Sequence, residues 1–490
     1  MVKLHLRDQA EALRRHAAQG PASALILPIR EGETPDHPQL AAAAAAAKFT
    51  GKAGEALSLP GTNGFSILAG IGAGRSITDW EAAGGAGMAA AAGRHRAVLL
   101  AGNAAPEYAA AFAAGAALRS WHFDELRDAS KDKNALPLRV TLAVADTALV
   151  RPAWRRAEAS VRGCLFARDL VVEPANRLNP ASFAARLREL TALGLEVDIL
   201  AGKRLQNLGM GALQAVGGGA EHGPRLAVLR WRGRLAADPV AFIGKGICFD
   251  TGGISIKPAA GMEDMRADMA GAAAAVGAMM ALAARNSPAP AIAVLALAEN
   301  AIGAASYRPG DILRTYSGKT IEVLDTDAEG RLVLADALAY AAARFRPRAM
   351  INLATLTGSI VTALGHHRAG MFGNDAPLQA ALAAAGEAVG EPLWPMPIDD
   401  EHREVLNSDI ADLRQCAPAG SGAWGGRFLA DACHAAAFLR EFVGNTPWAH
   451  LDIAGMETRE EACPIGPKGP SGFGARLLDR LVETRFEEAP

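Results

Sequence analysis

Short runs rich in Val, Ile and Leu alternate along this chain with longer Ala-rich stretches, the pattern expected of strands and helices taken in turn. In the first third the strand candidates are SALILPI (Ser23–Ile29), FSILAGIG (Phe65–Gly72), AVLLAG (Ala97–Gly102) and RVTLAVAD (Arg139–Asp146). Leu40–Lys48 and Glu107–Leu118 read as helices between them, because Ala has the highest helix propensity. This first unit carries no cluster of chemistry-bearing residues.

A helix is expected over Arg155–Val172, ended by Pro174, and Asn179-Pro180 with Ser182 predicts a turn into the next one. From Arg225 onward LAVLRW, PVAFIG, a helix over Glu263–Arg285, AIAVLALAE, ILRTY, TIEVLD, a helix over Arg331–Arg344 and AMINLAT follow in order. That order predicts an α/β fold with two domains: a smaller N-terminal α/β domain, 1–155, and a larger C-terminal domain, 156–490. The second has a mostly parallel central sheet flanked by helices, and the boundary belongs in the Val150–Arg168 region. Sites in such sheets form at the carboxyl ends of strands, where Lys245, Glu299–Asn300 and Asp325–Glu329 fall.

Composition narrows the class. Half of the 490 residues are apolar and the formal net charge is −2, which gives no electrostatic reason to expect nucleic acid or an anionic membrane as the main partner. The five cysteines form no Cys-x-x-Cys pair, which speaks against a disulfide framework and a thiolate zinc site and for a reducing, cytoplasmic setting. The N-terminus lacks the apolar core of a signal peptide, and Met269–Ala284 is shorter than the roughly 20 residues that span a bilayer.

Against this background two charged islands stand out. The first, Gly244–Gly271 (GKGICFDTGGISIKPAAGMEDMRADMAG), sets Lys245, Asp250, Lys257, Asp264 and Asp268 among glycines and apolar residues. The second is Asp325-Thr326-Asp327-Ala328-Glu329-Gly330-Arg331; if it is extended, residues 325, 327 and 329 project the same way. Each residue taken singly has an ordinary reading as a solvated side chain, a helix cap or a surface ion pair. Taken together, Asp250, Asp268, Asp327 and Glu329 bring four negative charges, which two divalent cations would balance.

The first island, with TDAEGRLVLADAL (Thr326–Leu338), resembles the signature of the leucyl aminopeptidase, or cytosol aminopeptidase, family of M17 metallopeptidases. Looser likeness extends over DLVVEPAN (Asp169–Asn176), LATLTG (Leu353–Gly358), SDIADL (Ser408–Leu413) and WAHLDIAG (Trp448–Gly455). The resemblance implies a metal-dependent aminopeptidase that releases N-terminal residues, Leu or other apolar ones preferred, from peptides with a free N-terminus. It implies two divalent metals, Zn²⁺ or Mn²⁺ foremost, bridged by Asp250 and Glu329. Lys245 and Asp268 complete the tighter site and Asp327 the more exchangeable one. Lys257 would stabilise the oxyanion and Arg331 would help hold a bicarbonate ion acting as base. Met265, Thr355, Gly358 and Ala454 would line the pocket for the first side chain, and the assembly would be a homohexamer.

Two departures qualify the match. Asp325 stands where the family has Asn, and is expected to hydrogen-bond backbone; Cys416–Leu439 is bulkier than the family pattern through Trp424, Arg427 and Phe428. His366-His367 read as surface or subunit-contact residues. Ser317-Gly318-Lys319-Thr320 lacks the upstream glycine of a phosphate loop, and neither His-Glu-x-x-His nor Gly-x-Ser-x-Gly occurs. The competing functions are a narrow dipeptidase, for instance toward cysteinylglycine, and a non-catalytic hexameric binding protein on the same fold.

Overall fold

The apolar runs of the first third become the strands of one sheet. In a computed structural model, residues 3–488 are described except 20–21, 62–63, 127, 129–135, 138 and 419–428. The chain divides into two compact units, Met1–Leu165 with Arg459–Gly469, and Phe166–Thr458 with Pro470–Pro490. The expected boundary at 155/156 falls inside a long helix that passes from one to the other.

The first unit holds, in chain order, β1 (Lys3–Asp8), α1 (Gln9–Ala17), β2 (Ser23–Ile29), α2 (Pro38–Ala46), β3 (Ala56–Gly61) and β4 (Gly64–Gly70). It continues with α3 (Ile77–Ala90), β5 (Arg96–Gly102), α4 (Pro106–Arg119), β6 (Arg139–Val144) and the start of α5 (Thr147–Val172). The sheet order is β1-β6-β5-β2-β4-β3, parallel throughout except for the β3–β4 pair. α5 begins eight residues before the expected Arg155 and carries Pro152 inside it, a residue that gives up one backbone N–H and marked no boundary.

The second unit contains α6 (Pro180–Glu189), β7 (Glu196–Ala201), α7 (Lys203–Asn207), α8 (Gly211–Val216), β8 (Arg225–Trp231), β9 (Val240–Asp250) and α9 (Ala270–Ala284). After β10 (Ala291–Asn300), β11 (Ile312–Arg314) and β12 (Thr320–Glu322) come α10 (Glu329–Phe345), β13 (Ala349–Ala354), α11 (Gly358–Leu364), β14 (Ala369–Gly373) and α12 (Ala376–Val389). β15 (Leu393–Pro395), α13 (Asp400–Glu404), β16 (Leu413–Arg414), α14 (Asp431–Arg440), β17 (Trp448–Asp452) and α15 (Ala475–Arg485) complete it. Asn179 caps α6 in a reciprocal box with Ser182, as the Asn-Pro-x-Ser pattern predicts.

The main sheet runs β15-β14-β17-β13-β9-β10-β8-β7, and its four central strands β17, β13, β9 and β10 are mutually parallel. β9 and β10 are almost continuously buried, which is why they read as unbroken apolar runs rather than alternating ones. α9 is built mostly from Ala, Gly and Met and lies pressed on the sheet: a Cβ on Gly271 would stand 2.1 Å from the Leu353 carbonyl oxygen, and one on Gly244 2.4 Å from Ala272 Cα. Met262–Ala284 is long and apolar enough to cross a membrane by length and composition, yet it is buried in this core.

Two expectations require correction. The helix predicted over Glu263–Arg285 is broken: Met262–Ala267 is a 3-10 turn, α9 starts at Ala270, and Asp268 occupies the break. The Asp325–Glu329 island is not extended. β12 stops at Glu322, residues 325–328 turn, and Glu329 opens α10. The Asp325 side chain drives that turn by accepting the Asp327 backbone N–H at 2.9 Å, an Asx-type local bond that competes with extended structure.

Candidate metal centre and active site

β9, β10 and β13 end side by side, delivering Asp250, Asn300 and Thr355 to one edge of the sheet. The α10 N-terminus brings Glu329 to the same place, where a carboxylate is favoured by the partial positive charge of the helix end. Oxygens of Asp250, Asp327 and Glu329 lie within 4.8 Å of one another. Asp268, from the break before α9, joins them through Lys245: its Nζ is 2.8 Å from Asp268 Oδ1 and 2.8 Å from Glu329 Oε1, and donates to the Thr355 carbonyl at 2.8 Å. Lys257 faces the other side, with Nζ 2.9 Å from Asp250 Oδ2 and in contact with Asp327 Oδ1.

Neutral residues, whose roles the sequence did not show, hold the islands together. Asn300 Nδ2 donates to Asp250 Oδ1 at 2.8 Å and to the Thr326 carbonyl at 2.9 Å. The Thr326 hydroxyl donates to Gly252 O at 2.6 Å and accepts from Ser255 N at 2.7 Å, and Tyr307 Oη donates to the Thr326 carbonyl. The one visible signal was the polar pair Glu299-Asn300 closing an otherwise apolar strand. On the far side, Asp452 at the end of β17 accepts from Leu356 N at 3.0 Å and from the Thr357 hydroxyl at 2.7 Å, fixing the Thr355–Gly358 loop.

The electrostatics describe a site short of positive charge. Burial pushes Asp268 up to about 7 and Glu329 to about 8, against the pull of Lys245 and with repulsion from Asp250. Burial likewise lifts Asp327 to about 6, although Lys257 opposes it. Burial works against the charge of both lysines, but the carboxylates outweigh it and hold Lys245 and Lys257 well above the usual lysine range. Asp268 Oδ2 is buried and accepts no hydrogen bond among the described residues, while Glu329 Oε1 and Asp327 Oδ1 face the lysine ammoniums. Carboxylate oxygens converging in one pocket, open or held by ammonium groups that a cation can replace, are donors suited to a hard or borderline divalent cation, so the residues fit a metal.

A cavity of about 420 Å³ opens on this cluster, and Met265, Thr355, Gly358 and Ala454 all line it beside Lys245, Asp250, Lys257, Asp268, Asp327 and Glu329. Leu356, Val361 and Gly455 extend its apolar wall. His366 is exposed as expected, but it also lines this cavity, with Nδ1 2.9 Å from the Gly455 carbonyl oxygen. Asp264 reaches the cavity rim with its side chain 70% exposed.

Arg331 does not line the cavity. It is buried in the first turn of α10, its Nη2 2.9 Å from Asp431 Oδ1 and its Nη1 donating to the Gln415 carbonyl. Asp431 lies a hundred residues away in sequence and no local pattern announced it. Asp325, meanwhile, is exposed and spends its carboxylate on backbone. Trp424, Arg427 and Phe428 lie outside the described residues.

An α/β unit whose parallel strands converge on carboxylates and lysines is a frame for cation-assisted chemistry at the strand ends. Sequence comparison gives it a lineage. The catalytic domain of the "Cytosol aminopeptidase family" matches residues 165–479, and the N-terminal domain of the same family matches residues 34–130. A "Probable cytosol aminopeptidase" of Rhizobium etli (strain CIAT 652) is 46% identical over 462 residues, covering 91% of both chains. Another so named, from Brucella melitensis biotype 1, is 44% identical and covers 95% of this chain and 97% of its own. Among solved structures, "Bottromycin maturation enzyme BotP in complex with Mn" matches with a TM-score of 0.82 at 32% identity, covering 94% of this chain and 98% of that one. The chain belongs to the cytosol aminopeptidase family.

Proposed function

We propose that this protein releases N-terminal amino acids, Leu or other apolar residues foremost, from peptides with a free amino terminus. It would do so with two divalent cations, Zn²⁺ or Mn²⁺, held by Lys245, Asp250, Asp268, Asp327 and Glu329. The observation that carries the reading is the meeting of those five residues and Lys257 in the wall of one cavity that also presents Met265, Thr355, Gly358 and Ala454. Membership of a peptidase family supports it, as does the manganese named in the BotP complex.

Cations in this cluster would supply a Lewis acid for the scissile carbonyl and a water acidic enough to attack at neutral pH. The chain's own groups then divide the remaining work. Asp250, Asp268, Asp327 and Glu329 give the negative charge that retains the cations and attracts the ammonium of the substrate. Lys257 keeps its proton and offers it to the oxyanion as negative charge develops there. Lys245 can serve as a ligand only as the neutral amine, so cation uptake must release the proton that Asp268 and Glu329 now hold on it. Thr355 Oγ1 donates to Asp268 Oδ1 at 2.7 Å, fixing that carboxylate while lining the cavity.

The family resemblance gives Arg331 a part through a bound bicarbonate ion, although the residue itself does not line the cavity. Its Nε is buried and has no acceptor among the described residues, which leaves one donor for a bicarbonate ion beside the pair with Asp431. Free cysteines throughout support the reducing, cytoplasmic setting. The homohexamer rests on the family resemblance, and sedimentation of the purified chain tests it.

The deciding assay compares hydrolysis of leucine amide and Leu-Gly with added Mn²⁺ or Zn²⁺ against a chelated sample and an N-acetylated substrate. Turnover that needs both metal and the free amine is expected. Absence of metal-dependent turnover on any free-amino peptide would overturn the enzyme reading, and equal rates on the blocked substrate would overturn the exopeptidase part. Hydrolysis confined to cysteinylglycine would favour the narrow dipeptidase.

A further inference from the structure

The first unit contains a second polar cavity, of about 310 Å³, with no acidic residue in its wall. It lies under α1 at the amino ends of β1, β6 and β5, whereas the metal cluster of the second unit lies at strand carboxyl ends. The strand register sets Lys3 directly opposite Arg139, and Arg139 directly opposite Arg96. Three cations therefore stand abreast on adjacent strands. Side chains so paired have Cβ atoms roughly 5 Å apart, and like charges in that relation destabilise a sheet.

Their neighbours do not relieve this. Arg7 and Arg15 also line the cavity, but both are answered by Glu11, whose Oε1 is 2.8 Å from each guanidinium. Among the described residues, Lys3, Arg96 and Arg139 have no carboxylate within ion-pair distance. In the next row His5 is held below its ordinary value, by burial first and then by Lys3, Arg7 and Arg139, a local sign of the positive potential. The floor is built rather than open. Ala12 packs on Val98 and Ala143, and His16 Nδ1 meets the buried Ser23 hydroxyl at 2.9 Å, anchoring the end of α1 to β2.

We propose that this cavity is an anion site for a small multivalent oxyanion of the phosphate or diphosphate class, bound by Lys3, Arg96 and Arg139. Two guanidinium forks beside an ammonium match the geometry and charge of phosphate oxygens. The volume lies at the small end of ligand pockets, which run from about 300 to 1,000 Å³, and suits one or two phosphoryl groups with little attached. The site is independent of the peptidase reading, because none of its residues lies in the cluster of the second unit.

Calorimetric titration of the whole purified chain with inorganic phosphate, pyrophosphate and AMP at constant ionic strength tests the proposal. One saturable site per chain is expected, tighter for pyrophosphate than for phosphate, weakened about tenfold or more by Arg96→Gln and again by Arg139→Gln. Leucine amide hydrolysis should be unchanged in both variants, and an unchanged circular dichroism spectrum and melting curve report that they fold. Should the double variant fail to fold, Lys3→Gln alone must still weaken the binding. Saturable binding that persists undiminished in the variants would put the anion elsewhere, including at catalytic metals, and overturn the site. Unsaturable heats that are alike for phosphate, sulfate and chloride would reduce the row to screened surface charge. A response to duplex DNA with none to pyrophosphate would replace the small-anion site with a different surface.

Discussion

Gly330 stands against Lys245 so closely that a Cβ at position 330 would lie 2.7 Å from Lys245 Cε and 2.8 Å from its Nζ. The missing side chain is therefore what lets the amine reach Asp268, Glu329 and the Thr355 carbonyl at once. Gly330→Ala forces the buried amine to move while leaving the α10 backbone suited to Ala. Overpacking of this kind costs about 1–3 kcal/mol, so the melting midpoint should fall by a few degrees at most while metal content and kcat/KM drop tenfold or more. Full activity in this variant would show that Lys245 is not needed where it stands.

Lys257 bonds to Asp250 and Asp327 but to none of the other cluster carboxylates. Removing it frees negative charge rather than a ligand. Lys257→Ala should thus lower kcat by about two orders of magnitude or more, the loss of one oxyanion donor, with metal content retained or increased. Metal loss on this substitution would instead make Lys257 a ligand.

Charge in the wrong surroundings made the two islands legible in sequence, and strand-end placement followed from the alternation of apolar runs. What joins the islands was not legible, because Asn300 and Thr326 are neutral and such residues are common wherever strands end. The break at Asp268 was hidden by the apolar Ala-rich run that follows it, so Glu263–Arg285 read as one helix. The Asp325–Glu329 island misled for a different reason: alternation along an extended chain was assumed, while the Asp325 carboxylate captures the Asp327 N–H and curls the segment. Arg331 with Asp431 is a contact across a hundred residues, which a periodicity cannot reveal.

Asn300 contributes two donor bonds, to Asp250 and to the Thr326 carbonyl, and is almost fully buried. Asn300→Ala leaves buried acceptors short of donors, a cost of about 1–3 kcal/mol, and releases Asp250 from its fixed orientation. Metal affinity should weaken by about 10- to 100-fold, as for other groups that orient a ligand. Metal titration followed by calorimetry checks this; unchanged affinity with lowered stability would confine Asn300 to folding.

Cation uptake should expel protons. Without a cation, burial and the Asp250 charge hold Asp268 and Glu329 well above the usual carboxylate range, and Lys245 keeps its proton throughout the neutral range. Binding Mn²⁺ near pH 7 therefore releases at least one proton, and the apparent affinity rises with pH by about tenfold per unit for each proton released. Titrations in buffers of different ionisation enthalpy count the protons. An affinity independent of pH between 6 and 8.5 would contradict the assignment of Lys245 as a ligand.

Asp336 offers a stability test away from the metal cluster. It is fully buried on α10 and accepts the backbone N–H groups of Leu213 at 2.9 Å and Tyr316 at 2.7 Å. Burial pushes it up to about 7, the backbone donors of Leu213, Tyr316 and Ala212 only partly opposing this. An unfolded-chain Asp titrates near about 3.9, so between these values the folded protein holds a proton that the unfolded chain has lost. Stability from this group is thus full at low pH and declines as pH rises from about 4 to about 7, then levels off. Asp336→Asn removes the titration, and its lost backbone bond costs the same at every pH. From urea unfolding, the advantage of the unsubstituted protein over the variant should shrink by about 2–3 kcal/mol between pH 5 and 7.5. If the advantage grows with pH instead, the backbone donors win over burial and Asp336 is a buried carboxylate anchoring α8 and Tyr316.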